Sequence, residues 1–342
     1  MGDLKFSDIV NQILSSTVLQ SDDIVRINDE SFSISSGPYP INSYDQATIQ
    51  NSTNKNYKLT ELIYKVFYST GKIKVDAKTV MEQSQAIPEL TERTKFMDVL
   101  SENNKSRTHY NKHWQILSGD PFNGYKIKKN TEIRHVPESQ LHPISNTNLI
   151  APGDMVAVFQ TKEDREKQNI FYHCYGDHWI REDKRIVRFY FNINSLKVHV
   201  LLKEITERFN RYKLPFCFKC LNHPSLYQFR ADTAVLYIQQ IDHHMVWSIL
   251  KEIIKNLEPD LLKETPILTL KIRDGVGFAE SPKDYSSFGW NRCSVLAKYV
   301  LENSRNTSSS KSKIRDFLAN HGISIDEIYL ISLSGYQYNF EP

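Results

Sequence analysis

The chain is 342 residues long, 40% hydrophobic and 24% charged, which suits a globular protein of one large or two medium domains. A formal net charge of +3, without clustering, argues against a nucleic-acid binder that holds phosphates along a basic face. No apolar run reaches the ~18 residues of a membrane span. The start, Met1-Gly-Asp-Leu-Lys-Phe6, lacks a signal peptide's apolar core and has Phe6 where myristoylation takes Ser or Thr. Four cysteines do not make a disulfide framework, so a reducing cytoplasm is expected. With only 12 glycines, the chain shows neither a G-x-G-x-x-G nor a P-loop pattern.

Residues 3–19 carry Ile9, Ile13 and Leu14 on one face of a predicted helix, with Val10 beside them. A polar, Ser-rich loop follows, then Tyr39-Pro-Ile and a polar linker over 51–56. Residues 58–68 (Leu59, Leu62, Ile63, Val66, Phe67) predict an amphipathic helix ending at Gly71, and residues 88–103 another, with Pro88 and Glu89 in its first turn. From Trp114 the period shortens. Trp114-Gln-Ile-Leu, Tyr125-Lys-Ile-Lys-Lys, Glu132-Ile-Arg-His-Val and Met155-Val-Ala-Val-Phe, the last after a Pro152-Gly-Asp turn, predict strands. So do Ile170-Phe-Tyr-His-Cys-Tyr, Ile186-Val-Arg-Phe-Tyr-Phe, 215–220, 230–238 and 268–271. Helices are predicted over 195–212, 242–257 (with Met245, Ile249 and Ile253 inward), 287–303 and 314–319, with a Ser-rich loop over 303–313. The fold class is therefore α+β: a helical N-terminal region, 1–112, before a mixed or antiparallel sheet with packed helices over 113–342.

Basic residues inside apolar strands ask for an anion, because a buried cation is costly alone. Arg188 lies in Val187-Arg-Phe-Tyr-Phe, Lys219 in Phe218-Lys-Cys, and Arg230 in Phe229-Arg-Ala. Alternation puts Arg188 with Tyr190 on one strand face, and Cys217 with Lys219 on another. A sheet with one solvated face alternates in the same way, and would leave Lys219, Arg230 and Arg292 far apart. Gly275, Gly277 and Gly289 cluster before Arg292, which opens a helical run whose dipole favours an anion. Cys217-Phe-Lys-Cys220 matches C-x-x-C, yet a strand turns the two sulfurs to opposite faces. His173, His243 and His244 lack a carboxylate set for a metal, and Asp242 is read as a helix cap.

These segments together resemble the HopA effector family, which includes a type III secretion effector and HopA-like lyases of class V lanthipeptide and related peptide pathways. The resemblance rests on Arg188-Phe-Tyr-Phe-Asn-Ile, Arg211-Tyr-Lys-Leu-Pro-Phe-Cys-Phe-Lys219, Arg230-Ala-Asp-Thr-Ala-Val-Leu-Tyr, Gly275-Val-Gly-Phe-Ala-Glu-Ser-Pro and Ser287-Phe-Gly-Trp-Asn-Arg-Cys. It covers roughly residues 114–303. More distantly the chain is similar to phosphothreonine lyases, which remove phosphate by β-elimination. The resemblance implies Lys219 as base, Arg188, Arg230 and Arg292 as the phosphate cradle, and no metal or cofactor. The family's acid histidine is matched here by Tyr190, whose phenol would protonate the leaving oxygen or polarise the carbonyl beside Cα. A lysine base must be neutral, which nearby cations and desolvation promote. The implied substrate is a phosphorylated precursor peptide, converted to dehydroalanine or dehydrobutyrine. A separate Ser/Thr kinase would supply the phosphate, since no H-R-D motif is present. A cyclase is a further implied partner; no nucleic acid or membrane is expected. Residues 1–112 would bind the peptide or a partner. The alternative is a non-catalytic module that binds a phosphorylated ligand or host protein.

Overall fold

The computed structural model describes residues 5–35, 55–86, 89–144, 150–181, 183–282, 287–303, 311–331 and 334–341. The Tyr39-Pro-Ile segment, linker residues 51–54, Pro88 and the Ser-rich residues 304–310 lie outside them.

The centre is a seven-stranded sheet in the order β14-β15-β11-β13-β12-β10-β9. Its strands are β9 (Glu163–Gln168), β10 (Phe171–Tyr175), β11 (Ile186–Phe191), β12 (Phe216–Leu221), β13 (Ala234–Gln239), β14 (Leu270–Arg273) and β15 (Val276–Glu280). Every pairing described is antiparallel, which settles the expected mixed or antiparallel sheet as antiparallel. A five-stranded sheet, β6-β5-β4-β8-β7, is built from β4 (His109–Asp120), β5 (Gly124–Lys129), β6 (Glu132–Val136), β7 (Leu141–Pro143) and β8 (Met155–Gln160). The boundary drawn between residues 112 and 113 falls inside β4.

One face of the seven-stranded sheet is apolar across its central strands. Val187, Phe189, Phe191, Phe216, Phe218, Leu236, Ile238 and Phe278 pack with Leu201, Leu202, Ile205, Phe209, Val246, Leu250 and Ile253. The latter belong to two helices, Val198–Arg211 and His243–Leu257. Each fully buried Phe or Leu contributes about 1.5–3 kcal/mol, so this layer fixes which way every strand faces. Met245, expected inward, is 46% exposed, because the inward stripe runs through Val246, Ile249 and Ile253. Asp242 makes no side-chain cap; its carboxylate accepts from Gln239 Nε2 at 2.9 Å.

On the opposite face Tyr190, Val235 and Ala279 join a second core. The N-terminal helices supply it: α1 (Phe6–Ser15) and α2 (Lys55–Ile63), which runs into a π-helical turn Tyr64–Tyr68. It also takes in α3 (Ala77–Gln85), together with residues of Phe288–Asn303 and Lys311–Asn320. In chain order the remaining helices are α4 (Leu90–Asn103), α5 (Val198–Arg211), α6 (His243–Leu257), α7 (Phe288–Asn303) and α8 (Lys311–Asn320). The π-helical turn ends at Tyr68 and the chain turns away at Gly71, φ +72°, where a Cβ would stand 2.4 Å from the Thr265 carbonyl oxygen, so no side chain fits. The N-terminal region is not wholly helical: β1 (Thr17–Ser21), β2 (Ile24–Ile27) and β3 (Glu30–Ser33) form a three-stranded sheet. The helix predicted over 3–19 therefore ends at Ser15.

Candidate functional site

Directly opposed residues of antiparallel strands point to the same side, so strand register builds the site. One cross-strand row reads Arg188, Tyr237, Cys217, Tyr175; the next reads Tyr190, Val235, Lys219, His173. Arg188 and Lys219 stand two strands and one row apart, about 12 Å, and their side chains reach to opposite ends of the face, Arg188 to Ser281 and Lys219 to Phe171. Tyr190 and Val235 are buried under the helical layer, whereas Tyr237, Cys217, Lys219, His173 and Tyr175 are half-buried and form a floor.

Cations ring this floor. Lys167 of β9 donates to the Tyr175 hydroxyl at 3.1 Å. Burial pushes the Cys217 thiol up to about 11, while Lys167 and Arg134 pull the other way, which brings Arg134 of β6 close to it. Arg134 also stacks on Trp179, 4.4 Å from its ring centre. Lys219 Nζ lies 4.0 Å over the Phe171 ring and donates to Gln168 Oε1 at 3.2 Å. His173 Nε2 meets the same oxygen at 3.1 Å. Burial first, then Lys219 and Lys167, hold the His173 imidazole down to about 3, with Asp164 opposing.

Arg188 is 7% exposed, gives Nε to Ser281 Oγ at 2.8 Å and lies 5.1 Å from the Tyr237 ring centre. A cavity of about 380 Å³ opens beside it, lined also by Lys184, Arg185, Gln240 and Glu280. The Tyr190 hydroxyl sits between Tyr68 and Arg188 without the geometry of a full hydrogen bond. Burial raises its pKa, and Arg188 only partly offsets this.

Arg230 is not on a strand, since β13 begins at Ala234. It occupies the preceding turn, yet it does join Lys219: its Cζ lies 5.8 Å from the same Phe171 ring centre. Its Nε and Nη2 bond both oxygens of Asp232 at 2.8 Å, and Nη2 reaches the Tyr64 hydroxyl at 3.3 Å. Tyr64 stacks on Tyr68, with ring centres 5.0 Å apart, so an aromatic path links Arg230 to Tyr190. Arg292 does not open its helix. It lies a turn inside α7, 3% exposed, and donates to the carbonyls of Ile328 at 2.8 Å and Leu330 at 2.7 Å. Both are main-chain acceptors that a buried guanidinium satisfies with no anion.

Cys217 is half-buried and Cys220 buried, on opposite faces, and all four cysteines are free thiols. Among the described residues no three His, Cys, Asp or Glu side chains converge as metal ligands would, and no helix is long and apolar enough to cross a membrane. Sequence reasoning missed Lys167, Gln168, Arg134 and the place of His173 beside Lys219. Alternation in Phe171-Tyr-His-Cys-Tyr puts His173 and Tyr175 on one face, but only strand register shows which neighbours they meet.

The model of the HopA1 effector protein family matches residues 149–330. Among solved structures, the effector protein from Pseudomonas syringae pv. tomato strain DC3000 is 16% identical with a TM-score of 0.45, covering 83% of this chain and 98% of that chain. The effector protein from Pseudomonas syringae pv. syringae strain 61 is 14% identical with a TM-score of 0.45, covering 81% and 96%. No curated protein matches.

Proposed function

Because the chain belongs to the HopA1 effector protein family, whose lyase-like members the sequence resembles, we propose that it eliminates phosphate from phosphoserine or phosphothreonine in a peptide. The observation that carries this reading is the shared sheet face on which Arg188, Lys219 and His173 stand in adjacent rows. The phosphate lies over the floor against Lys219, Lys167 and Arg188. Lys219 Nζ takes the Cα proton, while the other cations stabilise the charge of the departing group. Tyr190, buried behind Arg188, orients that guanidinium. The peptide is a precursor of lanthipeptide type, phosphorylated by a separate kinase in the cytoplasm and passed on to a cyclase. Residues 1–112 close the Tyr190 end of the face and recognise the peptide or a partner.

The test is mass spectrometry of a phosphoserine- or phosphothreonine-bearing precursor peptide incubated with the protein. Loss of phosphoric acid that disappears in Lys219→Ala is the expected result. An unchanged peptide, with the kinase present, overturns the lyase reading. A second reading, a phospholigand-binding module, is favoured by one observation: Lys219 Nζ serves as a hydrogen-bond donor, to Gln168 Oε1 at 3.2 Å, which suits holding an anion without any turnover. It predicts that Lys219→Ala weakens binding and that no turnover exists to lose.

A further inference from the structure

The five-stranded sheet buries one face, with Trp114, Ile116, Ile127, Val156 and Val158, and exposes the other. Strand register sets what stands on the exposed face. One row crosses the sheet as Ile133, Lys128, Gln115 and Met155, and Ile144 continues it, its N–H bonded to the Met155 carbonyl at 3.2 Å. On one side of this row lie His135 and Lys126; on the other Tyr110 faces Phe159, with the His142 ring centre 5.3 Å from that of Tyr110. Ile133, Met155, Ile144, Tyr110 and Phe159 are each between 40% and 49% exposed. A single exposed apolar side chain is ordinary, but five on one face make a patch. Lys126 and Lys128 have no ion-pair partner among the described residues. Asp120, the one strand carboxylate of the same parity, turns into its own hairpin, where it accepts from the N–H groups of Phe122 and Asn123 at 2.9 Å.

We propose that this face is a docking surface for an extended, acidic and apolar stretch of the substrate peptide, away from its phosphorylated residues. That the stretch belongs to the substrate rests on the lyase reading; that the face takes an acidic polypeptide does not.

Charge and size choose the occupant. A segment that alternates carboxylates with aliphatic or aromatic side chains complements two lysines set between apolar neighbours. Five strands spaced by about 4.8 Å make a row about 19 Å long, which about six extended residues cover. A second copy of the chain fits poorly, because a two-fold contact would lay this cationic face on itself with no carboxylate to answer Lys126 and Lys128. The face also adjoins the floor of the central sheet. Ile133 and His135 point outward from β6, while Arg134 between them turns inward to Trp179 and the Cys217 thiol. β6 is the edge strand of its sheet, so a peptide laid along the row rounds that edge to reach the floor. Holding the peptide at a second point raises the effective concentration of its phosphorylated residue with no new contact at the reacting atoms.

The experiment is fluorescence anisotropy with the full chain and a labelled peptide of about twelve residues that alternates Glu with Leu, enough to span the row with an overhang. The expected result is saturable binding that weakens as salt is added. Affinity should fall about tenfold in the double variant Lys126→Glu, Lys128→Glu and also in Met155→Ser. All three side chains are exposed, so thermal unfolding should match the wild type. A peptide with Gln in place of Glu that binds as tightly overturns the proposal, as does undiminished binding in the variants. A dimer in sedimentation that the same substitutions abolish, or vesicles of anionic lipid that bind where the peptide does not, overturns the choice of occupant. A phosphoserine peptide fused to the Glu-Leu stretch tests the link to the substrate. Its KM should lie below that of the unfused peptide, and the double variant should remove the advantage. Equal KM values overturn the substrate half. If the wild type eliminates nothing from either peptide, the lyase reading falls while anisotropy still decides the docking.

Discussion

Arg230 shows how a cation is kept inside this protein. Its side chain is 13% exposed and that of Asp232 5%. Burial works against its charge, but Asp232 and then Tyr64 outweigh burial and raise its pKa. The two planar groups meet through two parallel bonds, the strongest geometry such a pair has. Removing one member strands the other. Asp232→Ala should therefore cost about 3–5 kcal/mol of stability, read from denaturant midpoints. Replacing both residues by apolar ones should cost far less. If phosphate bound over the floor also reaches Arg230, added phosphate should recover part of the Asp232→Ala loss. A variant as stable as wild type would mean that Arg230 does not depend on Asp232 and is available to a ligand. This lysine-arginine-aromatic cluster was half legible. Lys219 and Arg188 stood out because Phe and Val flank them. Arg230 was misplaced because the apolar run after it reads as one strand, while the Asp232 pairing, which bends the chain into a turn, is not written in periodicity.

At the scale of elements, α7 serves as a bracket rather than an anion site. Arg292 reaches from it to two carbonyls of the segment that follows α8 and ties that segment to the helical layer. Arg292→Ala removes both donors and should cost about 1–3 kcal/mol for each carbonyl left buried without a partner. Arg292→Lys should recover only part, since an ammonium cannot reproduce the fork. Thermal unfolding measures both variants. Unchanged stability with lost phosphopeptide affinity would restore the anion role read from the sequence. Most strands from Trp114 onward were legible because a buried face imposes period two, as in Phe216-Cys-Phe-Lys-Cys; β7, β9 and β15 were not, β9 because all its residues are polar. The small N-terminal sheet was not. Its strands each bury at most two residues, in the patterns Beiee, eBeB and ieie, so the apolar alternation that marks a strand is too short to read.

Across the whole molecule, residues 334–341 strap the sheet edge that also carries the Arg188 cavity. Glu280 anchors the strap: it accepts from Ser334 Oγ at 2.5 Å, from the Tyr338 hydroxyl and from Ile331 N at 2.9 Å. Trp247 Nε1 holds the far end through the Glu341 carbonyl at 3.1 Å. Between these anchors Tyr338 and Phe340 close over His243, with ring centres 5.0 and 5.1 Å from it. His243 is 0% exposed, and neither ring nitrogen has a hydrogen-bond partner among the described residues. Burial, then the charge of His244, holds it down to about 4. The folded protein thus keeps this ring neutral at pH values where the unfolded chain, with a histidine pKa of about 6.5, already protonates it. Below that pH the unfolded state binds more protons, so the contribution of His243 is complete above about 6.5 and is lost as pH falls towards its folded value. The loss approaches about 1.4 kcal/mol per pH unit from this one group. His173, held down in the same direction, adds to it. Denaturant unfolding from neutral to mildly acid pH, wild type against His243→Phe, isolates the term, because carboxylates and His173 cancel in the difference. The variant, which keeps the apolar volume, should match the wild type at neutral pH and gain on it steadily in acid. Parallel curves would mean that His243 meets the same surroundings folded and unfolded, and that the strap does not seal it.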